Sequence, residues 1–226
     1  MKAIYGIFTA GGSGSRMGAD IPKQFIEIDG KTILQRTIER FLEAVPQMHV
    51  VTVLPQAHMR TWKEICVAGS MDCPQILVPG GITRFHSVKN ALAKVPDGAV
   101  VMIHDGVRPL LSVNLIRSML EEMEKGCRAL IPVVPVVDTL RSRDPEGPPV
   151  DRNSVVAVQT PQVFLSEEIK QAYGQPYDTG FTDDASVAGK SGIPVSFING
   201  ERFNLKITTP EDLVLAKAIL ASSDGL

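Results

Sequence analysis

Residues 3–18 read AIYGIFTAGGSGSRMG. The first seven form an apolar run of strand length, and the segment that follows, Thr9 to Gly18, holds four glycines in ten residues. A tight turn needs one or two glycines. The surplus suits a backbone that a ligand approaches closely, since consecutive amides of such a loop can face anionic oxygens. A strand running into a glycine-rich loop is also the way an α/β sheet begins.

The pattern continues outward from there. Strand-like apolar runs recur at 49–54 (HVVTVL), 75–78 (QILV), 99–106 (AVVMIHDG) and 128–137 (RALIPVVPVV). They are nearly uninterrupted, as expected of strands buried on both faces. Helical periodicity falls between them. Ile33, Leu34, Ile38, Phe41 and Leu42 share one stripe of 32–45, Phe85, Val88, Leu92 and Val95 share one of 83–95, and a third helix is expected over 113–125. Alternation of this kind implies an α/β fold, a Rossmann-like, mostly parallel sheet with helices on both faces. The order breaks at 138–154 (DTLRSRDPEGPPVDRNS), a charged, Pro/Gly-rich stretch between β-like runs, which reads as a protruding β-arm. The chain returns through VVAVQT (155–160), a helix near 166–173 and VSFI (195–198). A last helix is capped by Thr209 with Pro210 in its first position. We read one domain over 1–226, with the arm at about 136–156.

Ligands of open α/β sheets bind beyond the carboxyl ends of the strands. Those positions carry the glycine loop with Arg16 and then Lys23, PGGITRFHS (79–87), HDGVRP (104–109), and Asp138 with Thr139. Small, basic and acidic residues thus gather at one end of the expected sheet. The Walker pattern GxxxxGK[ST] is absent, and Met17 breaks the dinucleotide pattern GxGxxG. Arg16 and Lys23 suit a triphosphate. Asp105, at the end of an apolar strand, is placed either to hold Mg²⁺ or to cap a turn.

Other chemistries are excluded or disfavoured. Net charge is −2, which argues against a broad nucleic-acid surface. Three cysteines without CxxC spacing, and four histidines without HExxH, give no zinc site or disulfide framework. Ser13 and Ser15 stand in no GxSxG elbow, and His86 and His104 read as hydrogen-bonding residues. No signal-peptide pattern or membrane-length apolar run is seen, so a soluble, cytoplasmic protein is expected.

AGGSGSRM (10–17) followed by PKQF (22–25) resembles the signature of sugar-phosphate nucleotidyltransferases. Gly80, Gly81, Arg84 and Ser87, then HDGVRP (104–109), DT (138–139), VDR (150–152), TPQ (160–162), TDDAS (182–186) and NLKIT (204–208) narrow it. The ordered set, from residue 3 to about 220, is similar to the 2-C-methyl-D-erythritol 4-phosphate cytidylyltransferase family. The resemblance implies a fold of the nucleotide-diphospho-sugar transferase type. It also implies transfer of CMP from CTP to a polyol phosphate with Mg²⁺ on Asp105, in isoprenoid precursor biosynthesis.

It assigns Arg16, Lys23 and Lys206 to catalysis. Ala10, Gly11, Gly12, Ser13, Gly14, Gly81, Ser87 and Arg108 go to the nucleotide. Asp138, Thr139, Arg152, Thr160 and Thr182 go to the acceptor. The arm would reach a second subunit, giving a homodimer with shared sites. Ile82 and Thr83 stand where the family often has acidic residues, and HDGVRP replaces the commoner HDAARP. A ribitol-5-phosphate cytidylyltransferase and a non-catalytic CTP-binding module are the alternative readings; VDR and TDDAS favour methylerythritol phosphate.

Overall fold

The computed structural model describes residues 2–12, 21–144 and 146–223. Its strands are β1 (Ile4–Thr9), β2 (Glu27–Ile28), β3 (Lys31–Thr32), β4 (His49–Leu54), β5 (Gln75–Pro79), β6 (Val100–Asp105), β7 (Ala129–Pro135), β8 (Val156–Val158), β9 (Gln162–Leu165) and β10 (Ser196–Asn199). Its α-helices are α1 (Ile33–Ala44), α2 (Met59–Ala68), α3 (Arg84–Leu92), α4 (Val113–Glu124), α5 (Ser166–Ala172), α6 (Asp184–Lys190) and α7 (Pro210–Ser223).

One sheet runs in the order β10-β7-β9-β6-β1-β4-β5, with β8 added alongside β7. The pairs β6-β1, β1-β4, β4-β5 and β7-β10 are parallel. β9 is antiparallel to both β6 and β7, and β8 is antiparallel to β7. The expected mostly parallel sheet is therefore present, with an inserted strand that the pattern did not reveal. Four residues, QVFL, are too short a run to declare a direction.

Successive residues of a strand face opposite sides, and this splits the core in two. Ile7, Val51, Val53, Val101 and Ile103 point to one face, where Phe85, Val88 and Leu92 of α3 and Ile169 of α5 cover them. Phe8, Val50, Leu54, Val100 and Met102 point to the other, under Leu34, Ile38 and Phe41 of α1 and Leu115, Ile116 and Met119 of α4. Thr32, Thr83 and Ser112 cap α1, α3 and α4, each accepting a backbone N–H three residues on. At α7, Thr209 accepts the Asp212 N–H while the Asp212 carboxylate accepts the Thr209 N–H at 2.9 Å, a reciprocal cap. α2 and α6 were not expected from the sequence. α6 is only seven residues long, and α2 buries little beyond Trp62, so neither carries a strong apolar stripe.

The arm leaves β7 and returns as antiparallel β8, with one further bridge between Arg141 and Pro149. Among the described residues, no helix is long and apolar enough to cross a membrane.

Candidate active site

Parallel register places the site. Thr9 at the end of β1 pairs with Asp105 at the end of β6 and with Val53 of β4, while Leu54 pairs with Pro79 of β5. The loops after β1, β5 and β6 therefore open on a common edge. There they enclose a cavity of about 280 Å³, lined by Ala10–Gly12, Lys23, Gln24, Gly81–Arg84, Ser87, Asp105 and Lys206 among others.

The walls of this cavity are braced from behind. The Ala10 N–H donates to Val53 O, and the Gln24 amide donates to Ala10 O at 2.9 Å. The Ser87 hydroxyl accepts the Gly81 N–H at 3.0 Å and donates to Thr83 O at 2.9 Å. The Ser87 hydroxyl is thus spent on shaping the Gly80–Gly81 turn. A Cβ at Gly81 would lie 2.4 Å from that of His86, so only glycine fits there. Thr83 is the cap of α3, and Ile82 is 96% exposed at the cavity mouth. Arg16, Ser13 and Gly14 lie outside the described residues.

A cluster of charge stands on the sheet edge beside this cavity. Asp105 is ringed by Lys206 Nζ at 3.0 Å, Arg108 Nε at 3.3 Å and Arg84 Nε at 3.8 Å. Burial opposes its charge, but the three cations overcome that and hold the carboxyl well below the usual carboxylate range. Each cation is anchored separately. Arg108 donates to Asn204 O at 2.7 Å. Lys206 precedes Ile207, which is fully buried and donates its N–H to Val107 O. Arg84 forms a two-pronged pair with Asp184, at 2.9 and 2.6 Å.

His104 supports this corner from below. Its Nε2 lies 3.1 Å from the Arg108 carbonyl, which can only accept, so Nε2 carries the proton. Nδ1 then accepts the Thr160 hydroxyl at 3.0 Å, and the Thr160 oxygen accepts the Asp105 N–H at 3.1 Å. Burial pushes the His104 pKa down to about 3. The unfolded chain takes up this proton near pH 6.5 while the folded protein does not, so stability falls as pH drops from about 6.5 toward 3. The expected slope from this one group is about 1.4 kcal/mol per pH unit. Urea unfolding across that range measures it, and His104→Gln is expected to remove that slope. Asp105 contributes nothing over the upper part of this window, because a lowered carboxylate loses its stabilisation only as pH falls below its unfolded value of about 4.

A second cavity, about 270 Å³, opens on the other side of the cluster. Arg108, Gln159, Thr160, Thr182 and Asp183 line it, and Arg84, Asp105 and Lys206 line both cavities. Of the residues expected to meet the acceptor, the fold brings Thr160 and Thr182 here. Arg108, assigned to the nucleotide, lines this side instead, because its guanidinium is drawn to Asn204 on the β9 side of β6. Asp138, Thr139 and Arg152 line neither cavity. They belong to the arm, where Arg152 donates to Val137 O at 3.2 Å.

The profile of 2-C-methyl-D-erythritol 4-phosphate cytidylyltransferase (IspD) matches residues 4–222. The chain belongs to this family. It is 46% identical to the cytidylyltransferase of that name from Bacteroides thetaiotaomicron, over 95% of this chain and 98% of the relative. The Porphyromonas gingivalis protein of the same name is also 46% identical, over 96% and 98%. A crystal structure of 4-diphosphocytidyl-2C-methyl-D-erythritol synthase from Anaerococcus prevotii superposes with a TM-score of 0.81 at 28% identity, covering 97% of this chain and 96% of that one.

The two cavities meet at one charged cluster, with Arg84, Asp105 and Lys206 lining both. Sequence reasoning passed over Arg84 as a site residue, although it had placed it in the Gly80–Ser87 motif. Its partner Asp184 lies 100 positions away, and neighbouring residues gave no signal of that pairing.

Proposed function

We propose that this cleft transfers the cytidylyl group of CTP to the phosphate of 2-C-methyl-D-erythritol 4-phosphate, and that the residues divide the work as the cavities do. An oxygen of the acceptor phosphate attacks the α-phosphorus of CTP. The bond from α-phosphorus to the α–β bridging oxygen breaks, and pyrophosphate leaves with that electron pair. The acceptor phosphate is ionised near neutral pH, so no strong base is required. Catalysis rests on in-line placement and on stabilising charge at the α-phosphate.

The observation that carries this reading is the junction itself, since Arg84, Asp105 and Lys206 line both cavities. Lys206 there faces the charge that develops between the two phosphates. Lys23 and Arg16 serve the triphosphate side. The backbone of Ala10–Gly14 with the Gly81 turn seats the nucleotide, and Thr160 and Thr182 bound the acceptor.

A divalent cation fits this arrangement. Mg²⁺ is commonly held by one or two carboxylates with substrate phosphates completing its shell. Asp105 is the one carboxylate shared by both cavities among the described residues, and it stays ionised. Mg²⁺ on Asp105 would neutralise phosphate charge. The arm suits a homodimer in which Asp138, Thr139 and Arg152 complete the partner's acceptor side, because they are exposed and line neither cavity of their own chain. A cytoplasmic location fits the substrates.

The test is pyrophosphate release from CTP and Mg²⁺ with methylerythritol phosphate and with ribitol 5-phosphate side by side. Release is expected with methylerythritol phosphate and to be at least about tenfold slower with ribitol 5-phosphate, a difference of about 1.4 kcal/mol in transition-state binding for an acceptor of different length and hydroxyl pattern. Consumption of ribitol phosphate alone would remove the substrate assignment. CTP binding without turnover of either acceptor would favour the non-catalytic module.

A further inference from the structure

Arg84 stands at the junction in an unusual way. Its guanidinium carries five N–H donors in a rigid fork. Asp184 takes one from each terminal nitrogen, and Nε faces Asp105 at 3.8 Å. The remaining donors lie on a side chain that lines both cavities and is 30% exposed.

The hold on this side chain is itself held. Asp184 is fully buried at the start of α6, and its Oδ1 accepts the Tyr173 hydroxyl at 2.6 Å. The Tyr173 ring is buried and stacks on Phe85, with centroids 4.7 Å apart. Gln162 of β9 ties down the same turn, donating to Asp183 at 2.8 Å and accepting the Ala185 N–H at 2.8 Å. Burial, and next the Asp184 carboxylate, push the Tyr173 phenol well above its ordinary value, so it remains a donor.

A buried ion pair is weak evidence for stability, because apolar residues of the same volume do as well or better. The arrangement is better suited to orientation: it fixes a planar fork, built for phosphate oxygens, where two phosphates must meet. The reading of the reaction given above is its foundation.

We propose that Arg84 receives the acceptor phosphate at the junction of the two cavities, and that Asp184 and Tyr173 are positioning residues that hold its guanidinium there. The TDDAS segment then acts on the acceptor through Arg84, with Asp183 capping α6 and Asp184 aiming the fork.

The test uses the full-length protein with CTP, Mg²⁺ and methylerythritol 4-phosphate, and compares wild type, Arg84→Lys and Tyr173→Phe. Arg84→Lys keeps the charge and loses the fork. It is expected to lower kcat/KM for the acceptor about 10- to 100-fold while KM for CTP stays within about twofold. Tyr173→Phe removes one hydroxyl from an otherwise intact buried ring, so it remains folded if the first variant does not. It should show the same acceptor-selective loss, at about three- to tenfold. Melting temperatures are recorded for all three. Lowered melting temperatures with acceptor kinetics within twofold of wild type would reduce the cluster to a structural pin and overturn the proposal. An equal rise in KM for CTP would overturn it too, by moving Arg84 to the nucleotide. Wild-type protein without turnover would overturn the reading of the reaction, and this proposal with it; variants that match an active wild type overturn this proposal alone.

Discussion

Asp105→Asn is expected to lower turnover at least about 100-fold, a loss of roughly 3 kcal/mol in transition-state stabilisation. The substitution keeps size and shape and removes one negative charge. That charge is what gathers Lys206, Arg108 and Arg84 within 4 Å of one point. Without it the three cations repel one another, and the one carboxylate that lines both cavities among the described residues is gone. The fold should suffer as well. Removing one member of a buried ionic cluster costs about 3–5 kcal/mol. The lower end is expected here because Arg84 keeps Asp184 and the Lys206 side chain is 41% exposed. Urea unfolding at pH 7 and a pyrophosphate-release assay measure the two losses separately. Turnover within a few-fold of wild type would remove Asp105 from the machinery.

Lys206→Ala is expected to lose at least about 100-fold in turnover with the melting temperature changed by only a few degrees. The contrast between the two readouts is what makes it informative. The segment that carries Lys206 is anchored by its neighbours: Ile207 is buried against Val107, and Asn204 is buried and donates to Thr160 O at 2.8 Å. The lysine side chain contributes its ammonium to the junction and little to packing. An activity loss that merely followed a lowered melting temperature would reject its role at the transition state. Lys206→Arg, which keeps the charge on a longer, planar head, should recover part of the activity if charge dominates.

The composition and order of the chain declared the α/β class. Nearly continuous apolar runs at 3–9, 49–54 and 99–106 are what strands buried on both faces require, stripes of period 3.6 between them suit the covering helices, and the structure has both. The edge on which the first cavity opens followed from the same argument, because loops at carboxyl ends of parallel strands share an edge. The ordered motifs named the family, and the family match over 4–222 agrees. The arm was legible as an excursion from its charge and prolines, since such a stretch cannot lie inside a sheet.

Strand direction and long-range pairing were not legible in the chain. β9 runs antiparallel between two parallel neighbours because a connection from the arm delivers it from the opposite end, which its four residues do not encode. The resemblance gives Thr160 to the acceptor, and in the folded protein its hydroxyl also links His104 to the backbone of Asp105. The hydrogen bonds by which Ser87 braces the Gly81 loop and Thr83 caps α3 were not legible either. Local sequence reports residue type and period, and those settle class and chemistry. That Lys206 faces Asp105, and that Asp184 holds Arg84, depends on contacts between residues about 100 positions apart, and only closure of the sheet brings such groups within hydrogen-bonding reach.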